Sequence, residues 1–172
     1  KFTAEQHASI YKESQDRFVK TMNGLSTVEE SVEIQSCPDW TVHDLLSHVT
    51  GLCVAISQGD APPADTQNWV DQQVISRKDL SSENVTAEWN RSLDSFCEVA
   101  TSDMRLAMPL TYDLLVHEFD LSHALQKPNR REDENALLLA MNVAALILHG
   151  DISKAEVGSL LLVANDNEWQ CG

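Results

Sequence analysis

Apolar residues recur at three- and four-residue intervals through most of this chain, which is the spacing of helices that bury one face. Ile10, Phe18, Val19 and Met22 mark a first helix from Thr3 to about Asn23, with Gly24 as its stop. Val42, Leu45, Val49, Leu52 and Ile56 mark a second, ending near Gly59. Its start is signalled by Thr41 as N-cap, by Asp44 at the capping-box position, and by Trp40 and Leu45 as a hydrophobic staple. A short helix from Trp69 to about Leu80 follows the Asp60-Ala61-Pro62-Pro63 loop. Val85, Trp89, Leu93, Phe96 and Val99 predict a third long helix, capped by Ser82 or Asn84. A fourth is expected from Pro109 to Gln126, stopped by Pro128.

Glu132-Asp133-Glu134 suits the positive end of a fifth helix, which runs through an apolar stretch to His149 and Gly150. Leu25 to Pro38 reads as a connector with an extended piece at 31–34. Near the end, the runs Leu160–Val163 and Glu168–Gln170 flank Ala164-Asn165-Asp166-Asn167, the pattern of a β-hairpin. The expected fold is therefore all-α, a helical bundle over residues 1–152 with a short β-hairpin tail at 153–172. An isolated hairpin is marginal, so the tail either packs on the helices or opens a second domain. With no Met at its start and Cys171-Gly172 at its end, the chain is expected to be a piece of a longer one.

Composition narrows the partners. A formal net charge of −15 over 172 residues argues against binding to nucleic acid or to anionic membranes, both of which need clustered Lys and Arg. The longest apolar stretch, Leu137 to Leu148, is interrupted by Asn142 and is too short to span a bilayer. Cys37, Cys53, Cys97 and Cys171 are widely spaced, without a Cys-x-x-Cys pair, and are expected to be reduced thiols in a cytoplasmic protein. Oligomeric state is left open between monomer and homodimer.

The chemistry concentrates in a repeated pentapeptide. Asp44-Leu45-Leu46-Ser47-His48 and Asp113-Leu114-Leu115-Val116-His117 each set a carboxylate and an imidazole four residues apart, on one helix face. Facing helices of a bundle can bring such side chains together around a metal. The two copies are unequal. Asp44 has a structural task at its helix N-terminus, whereas Asp113 does not if Pro109 starts its helix. The candidate ligands are therefore His48, Asp113 and His117, and three protein ligands leave one position open. Asp120, one turn on, is placed to orient His117 as a hydrogen-bond acceptor. Read alone, these residues leave two possibilities: a divalent-metal site suited to Zn, Fe, Ni or Mn without ranking them, or core histidines held by hydrogen bonds.

Cys37-Pro38-Asp39-Trp40-Thr41-Val42-His43-Asp44-Leu45-Leu46-Ser47-His48 resembles the Pro-x-Trp-Thr-x-x-Asp-x-x-x-His signature of the mycothiol-dependent maleylpyruvate isomerase N-terminal domain. That family belongs to the DinB-like superfamily of metal-binding four-helix bundles. Asp113–Leu121 is similar to its second signature, acid-x-x-x-His-x-x-Asp-Leu. The resemblance covers roughly residues 3–150. It implies a DinB-like four-helix bundle in which His48, Asp113 and His117 match the metal ligands; the isomerase carries Glu where this chain has Asp113. The tail resembles the first hairpin of that family's C-terminal α/β domain. The implied activity is a metal-dependent transferase or isomerase that uses a low-molecular-weight thiol such as mycothiol and a small electrophilic substrate. Two further readings stand beside it: a hydrolase using a metal-bound water, with Asp44 or Asp120 as general base, and a non-catalytic metal-binding module.

Overall fold

A computed structural model describes residues 2–60, 62–63, 65–127, 131, 133–164 and 166–172. The chain divides into two compact units, Lys1–Arg130 and Arg131–Gly172. Helix α7 thus groups with the tail hairpin, and the division falls ahead of it.

The first unit holds four long helices: α1 (Ala4–Met22), α3 (Val42–Ser57), α5 (Ser82–Ser102) and α6 (Met104–Ala124). Helices α1 and α3 each pack against both α5 and α6, which closes a four-helix bundle. Between α1 and α3 lie a one-turn helix α2 (Thr27–Glu30) and two short antiparallel strands, β1 (Glu33–Ile34) and β2 (Cys37–Thr41). Helix α4 (Thr66–Ile75) lies against α3. The bundle core contains Phe18, Leu45, Leu46, Ile56, Val85, Trp89, Phe96, Leu114 and Leu121, each essentially removed from solvent. Full burial of such a side chain contributes about 1.5–3 kcal/mol. The Trp89 indole N–H finds a partner in the Tyr11 hydroxyl at 3.4 Å, so the aromatic centre of the core leaves that donor satisfied.

Helix α3 is buried on almost every side, as its position against α4, α5 and α6 requires. Close approach of α4 depends on Gly51. A Cβ there would come within 2.5 Å of the Gln73 Cβ and 2.8 Å of Arg77 Nη1. Arg77 is itself buried and holds Glu88 of α5 through two hydrogen bonds of 2.8 and 2.9 Å.

The helix ends follow local chemistry, with several departures from the sequence reading. Thr3 and Thr41 cap α1 and α3 as capping boxes, Thr41 with Asp44. Ser81, one residue before the expected cap, starts α5. Helix α4 starts at Thr66 and stops at Ile75, short of Leu80. Helix α6 begins at Met104, capped by Asp103, and carries Pro109 inside its second turn. Pro109 lies past the first turn, where the orphan N–H groups sit, so it forgoes one helical bond to the Arg105 carbonyl rather than marking the start. The Ser26–Glu29 capping box forms α2, which the sequence reading took as plain connector.

The second unit is α7 (Glu134–Ala155) with strands β3 (Leu160–Ala164) and β4 (Asn167–Cys171), paired antiparallel. Asp133 caps α7; Glu132 and Pro128 lie outside the described residues, as does Asn165 of the turn. The helix continues through Gly150 and ends at Glu156, which takes a left-handed φ of 54°. That continuation changes one expectation: at 22 residues, with an 18-residue window of mean hydropathy 1.7, α7 is long and apolar enough to cross a membrane by length and composition alone. In the unit it receives β4: the Trp169 indole N–H donates to Asn142 Oδ1 at 2.7 Å, and Cys171 Sγ lies 3.4 Å from the Ala145 carbonyl oxygen.

Candidate metal centre

Helices α3 and α6 bring His48, Asp113 and His117 to one point. One potential ligand atom from each lies within 4.8 Å of the others, and among the described residues this is the group so placed. His48 Nε2 is 3.2 Å from Asp113 Oδ2, and His117 Nε2 is 3.4 Å from Asp113 Oδ1. The two imidazoles meet edge to face, with ring centres 5.0 Å apart. Both histidines are buried, while the Asp113 side chain keeps 33% of its surface exposed. Of the three side chains, Asp113 is the most exposed.

The donor set suits a divalent transition metal: two imidazole nitrogens and one carboxylate. The spacing suits it as well. Ligand bonds of about 2.0–2.1 Å in a tetrahedron place neighbouring donors about 3.3 Å apart. The 3.2 and 3.4 Å separations, each to a different Asp113 oxygen, are close to that value, and one donor atom from each residue lies within 4.8 Å of the others. His117 is also oriented for it. Its Nδ1–H donates to Asp120 Oδ2 at 2.9 Å, which leaves Nε2 aimed at Asp113. A ligating imidazole held through its other nitrogen by a carboxylate is a common arrangement around metals.

With no metal bound, His117 faces a carboxylate at each ring nitrogen. Burial works against its charge, but the Asp113 and Asp120 hydrogen bonds and charges prevail and raise it to about 9. Burial likewise works against the charge on Asp113, and the hydrogen bonds from His117 and His48 hold its carboxyl well below the usual carboxylate range. Asp120 follows the same logic: burial opposes ionisation, His117 and Ser36 hydrogen bonds favour it, and its carboxyl is lowered. A proton thus occupies, on His117, the role that a cation would take.

Asp44 stays with the helix terminus. Its Oδ2 accepts from Thr41 N–H at 2.9 Å and from the Thr41 hydroxyl at 2.8 Å. Asp113 sits in the third turn of α6, farther from a helix end than a start at Pro109 implied, so capping makes no claim on it. The remaining histidines do other work. His43 Nε2 bonds the Leu80 carbonyl, His123 Nε2 bonds Gln35 Oε1 at 2.8 Å, and the His7 backbone carbonyl accepts from Thr111. Glu118 turns to Arg17 of α1 in an ion pair across the bundle.

Sequence reasoning missed the wall formed by β2 and the turn before it. Trp40 lies with its ring centre 4.8 Å from that of His48 and 6.3 Å from that of His117. Ser36 lies beside Asp120 and helps hold its carboxyl down. The signal available for Trp40 was its place beside the N-cap, which sends its side chain back over the first turns of α3. The cysteines are free. Burial pushes the Cys53 thiol up to about 12 and raises Cys97; Cys37 is raised by burial and then by the nearby Asp120 and Asp113 charges. None of these three is primed as a thiolate nucleophile, since the thiolate is the reactive form.

Compared with curated proteins, the chain matches none, and no solved structure matches it either. Residues 11–105, more than half of the chain, match the Mycothiol maleylpyruvate isomerase N-terminal domain. The match includes His48 and ends ahead of Asp113 and His117. With the bundle, the first signature and the match in agreement, the chain belongs to the mycothiol maleylpyruvate isomerase N-terminal domain family.

Proposed function

We propose that this protein binds a divalent metal, most readily Zn, through His48, Asp113 and His117, and uses it in a thiol-dependent transfer or isomerisation with a mycothiol-type cosubstrate. The observation that carries the reading is the convergence of three donors from two helices, with Asp120 behind His117 and Asp113 partly exposed. When bound, the metal would lower the pKa of the thiol and hold it as the nucleophilic thiolate. The chain's own residues do the rest. Asp120 keeps the His117 Nδ1 proton, so that Nε2 presents its lone pair inward. Trp40 covers the imidazole flank against water. The exposed third of Asp113 marks where thiol and electrophile would approach.

The acids that a hydrolase would use as general base are engaged elsewhere, Asp44 with Thr41 and Asp120 with His117. This favours the thiol reading. Small thiols of this kind are kept reduced in the cytoplasm, where the reading places the protein. The test is to purify the protein without chelator, measure bound metal by elemental analysis, and follow consumption of mycothiol or a surrogate thiol with a model electrophile. Thiol loss that depends on metal and vanishes in His117→Ala supports the reading. Absence of metal in the purified and zinc-supplemented protein overturns it. Turnover that persists without thiol would point to hydrolysis instead. Metal binding without turnover would leave a binding module.

A further inference from the structure

The two imidazoles are not held alike. His117 has a polar anchor on the side away from the centre, Nδ1–H to Asp120 Oδ2 at 2.9 Å. His48 has none: its Nδ1 is buried with no hydrogen-bond partner among the described residues. What packs against the His48 ring is aromatic. Trp40 covers its face at 4.8 Å between ring centres, tilted by 39°, and the His117 ring meets it edge-on at 5.0 Å.

An imidazole that lacks a second hydrogen bond can turn about its Cβ–Cγ bond, because that torsion is broad and roughly two-fold. Either nitrogen could then face the centre. Asp113, 3.2 Å from Nε2, can accept from whichever nitrogen faces it, so the choice between the two must come from packing, and the indole is placed to supply it. We propose that Trp40 is a positioning residue for His48, fixing its ring so that Nε2 faces the centre, the task that Asp120 performs for His117. This rests on the metal-binding reading given above.

The placement of Trp40 is itself secured by α3. The Thr41 backbone N–H, adjoining Trp40, donates to Asp44 Oδ2 at 2.9 Å, and Trp40 packs on the bundle core. Asp44 therefore serves the site at one remove: it fixes the N-cap, the N-cap fixes the indole, and the indole fixes His48. Both copies of the pentapeptide take part, by different routes.

Two measurements on wild type, Trp40→Phe, Trp40→Leu and Asp120→Asn test this. The first is Zn(II) affinity by competition with a chromophoric chelator. Loss of a group that orients a ligand typically weakens binding about 10- to 100-fold. A loss of at least about 10-fold is expected for Trp40→Leu, and near-complete recovery for Trp40→Phe, which restores a flat ring. The second is the imidazole 15N spectrum of the metal-free protein, which reports which nitrogen of His48 carries the proton. Wild type and Trp40→Phe should show one His48 tautomer and Trp40→Leu a mixture, while Asp120→Asn should leave the His48 tautomer as in wild type. A purely structural Trp40 would lower stability without changing the His48 tautomer. The proposal is overturned if Trp40→Leu, folded by its melting profile, keeps a single His48 tautomer. It is equally overturned if Phe and Leu behave alike. Should wild type bind no zinc, the metal reading fails, and the tautomer comparison still decides the role of Trp40.

Discussion

Raising the pH from 6 to 8 should tighten zinc binding steeply, because metal and proton compete for one atom. His117 Nε2 faces Asp113 at 3.4 Å, and Nδ1 faces Asp120 at 2.9 Å. Flanked in this way the imidazole is raised to about 9. The metal needs the Nε2 lone pair, so binding below that value releases this proton. At pH 7, two units below, roughly one molecule in 100 has His117 unprotonated, and apparent affinity is about 100-fold below its limit. Each pH unit between 6 and 8 recovers about tenfold. The assay is chelator competition at constant ionic strength at several pH values, with proton release measured by calorimetry in buffers of different ionisation enthalpy. Asp120→Asn removes one of the flanking charges, so its affinity curve should flatten at lower pH than wild type. A zinc affinity constant from pH 6 to 8, with no proton released, would refute the account of His117.

Other outcomes follow from the same contacts. Without metal, His117 is raised above its ordinary value of 6.5, so its contribution to stability is full below about 6.5 and fades as pH rises through about 9. Asp113 is lowered, so its contribution holds above its ordinary value of 3.8 and is lost only as strong acid protonates it; the metal-free melting temperature should therefore fall between pH 7 and 9.5, and a rise would contradict the charge assignment. Asp113→Ala should abolish stoichiometric zinc binding and thiol turnover together, read by elemental analysis and thiol titration. Thr41→Ala removes the α3 N-cap and should cost about 1 kcal/mol in denaturant unfolding. Gly51→Ala adds a Cβ within 2.5 Å of Gln73 and should cost about 1–3 kcal/mol, despite the better helix propensity of alanine.

Which parts were legible in the sequence depends on the range of the interactions involved. Helices α1, α3 and α5 were readable because their buried positions recur at helical spacing and their ends carry caps in the chain itself. The pairing of Asp113 with His117 was readable for the same reason, being a matter of four residues. Misreadings arose where one residue type was given its commonest meaning. Proline suggests a helix start at 109 and glycine a stop at 150, yet both lie inside helices, Pro109 between buried Ala107 and Leu110. Strand β2 was not foreseeable from Cys37-Pro38-Asp39-Trp40-Thr41, which lacks alternation and contains proline; it forms by pairing with β1 beside α3 and α6. Trp40 over His48, and Ser36 against Asp120, are contacts between segments, and spacing along the chain does not encode them. Helix α2 was different, since Ser26 and Glu29 spell a capping box that a stricter reading finds.

Helix α6 makes commitments on several sides within three turns. Asp113 and His117 face the centre, Glu118 pairs with Arg17 of α1, Asp120 meets Ser36, and His123 reaches Gln35. Advancing the helix by one residue would swing every side chain about 100° and surrender all of these together. Its azimuth is thus over-determined, and small adjustments of the centre cannot come from turning α6. Divergence toward a new substrate is left to the open rim. Mutational tolerance along α6 should accordingly be jagged rather than graded, high at outward Phe119 and low at its neighbours Glu118 and Asp120.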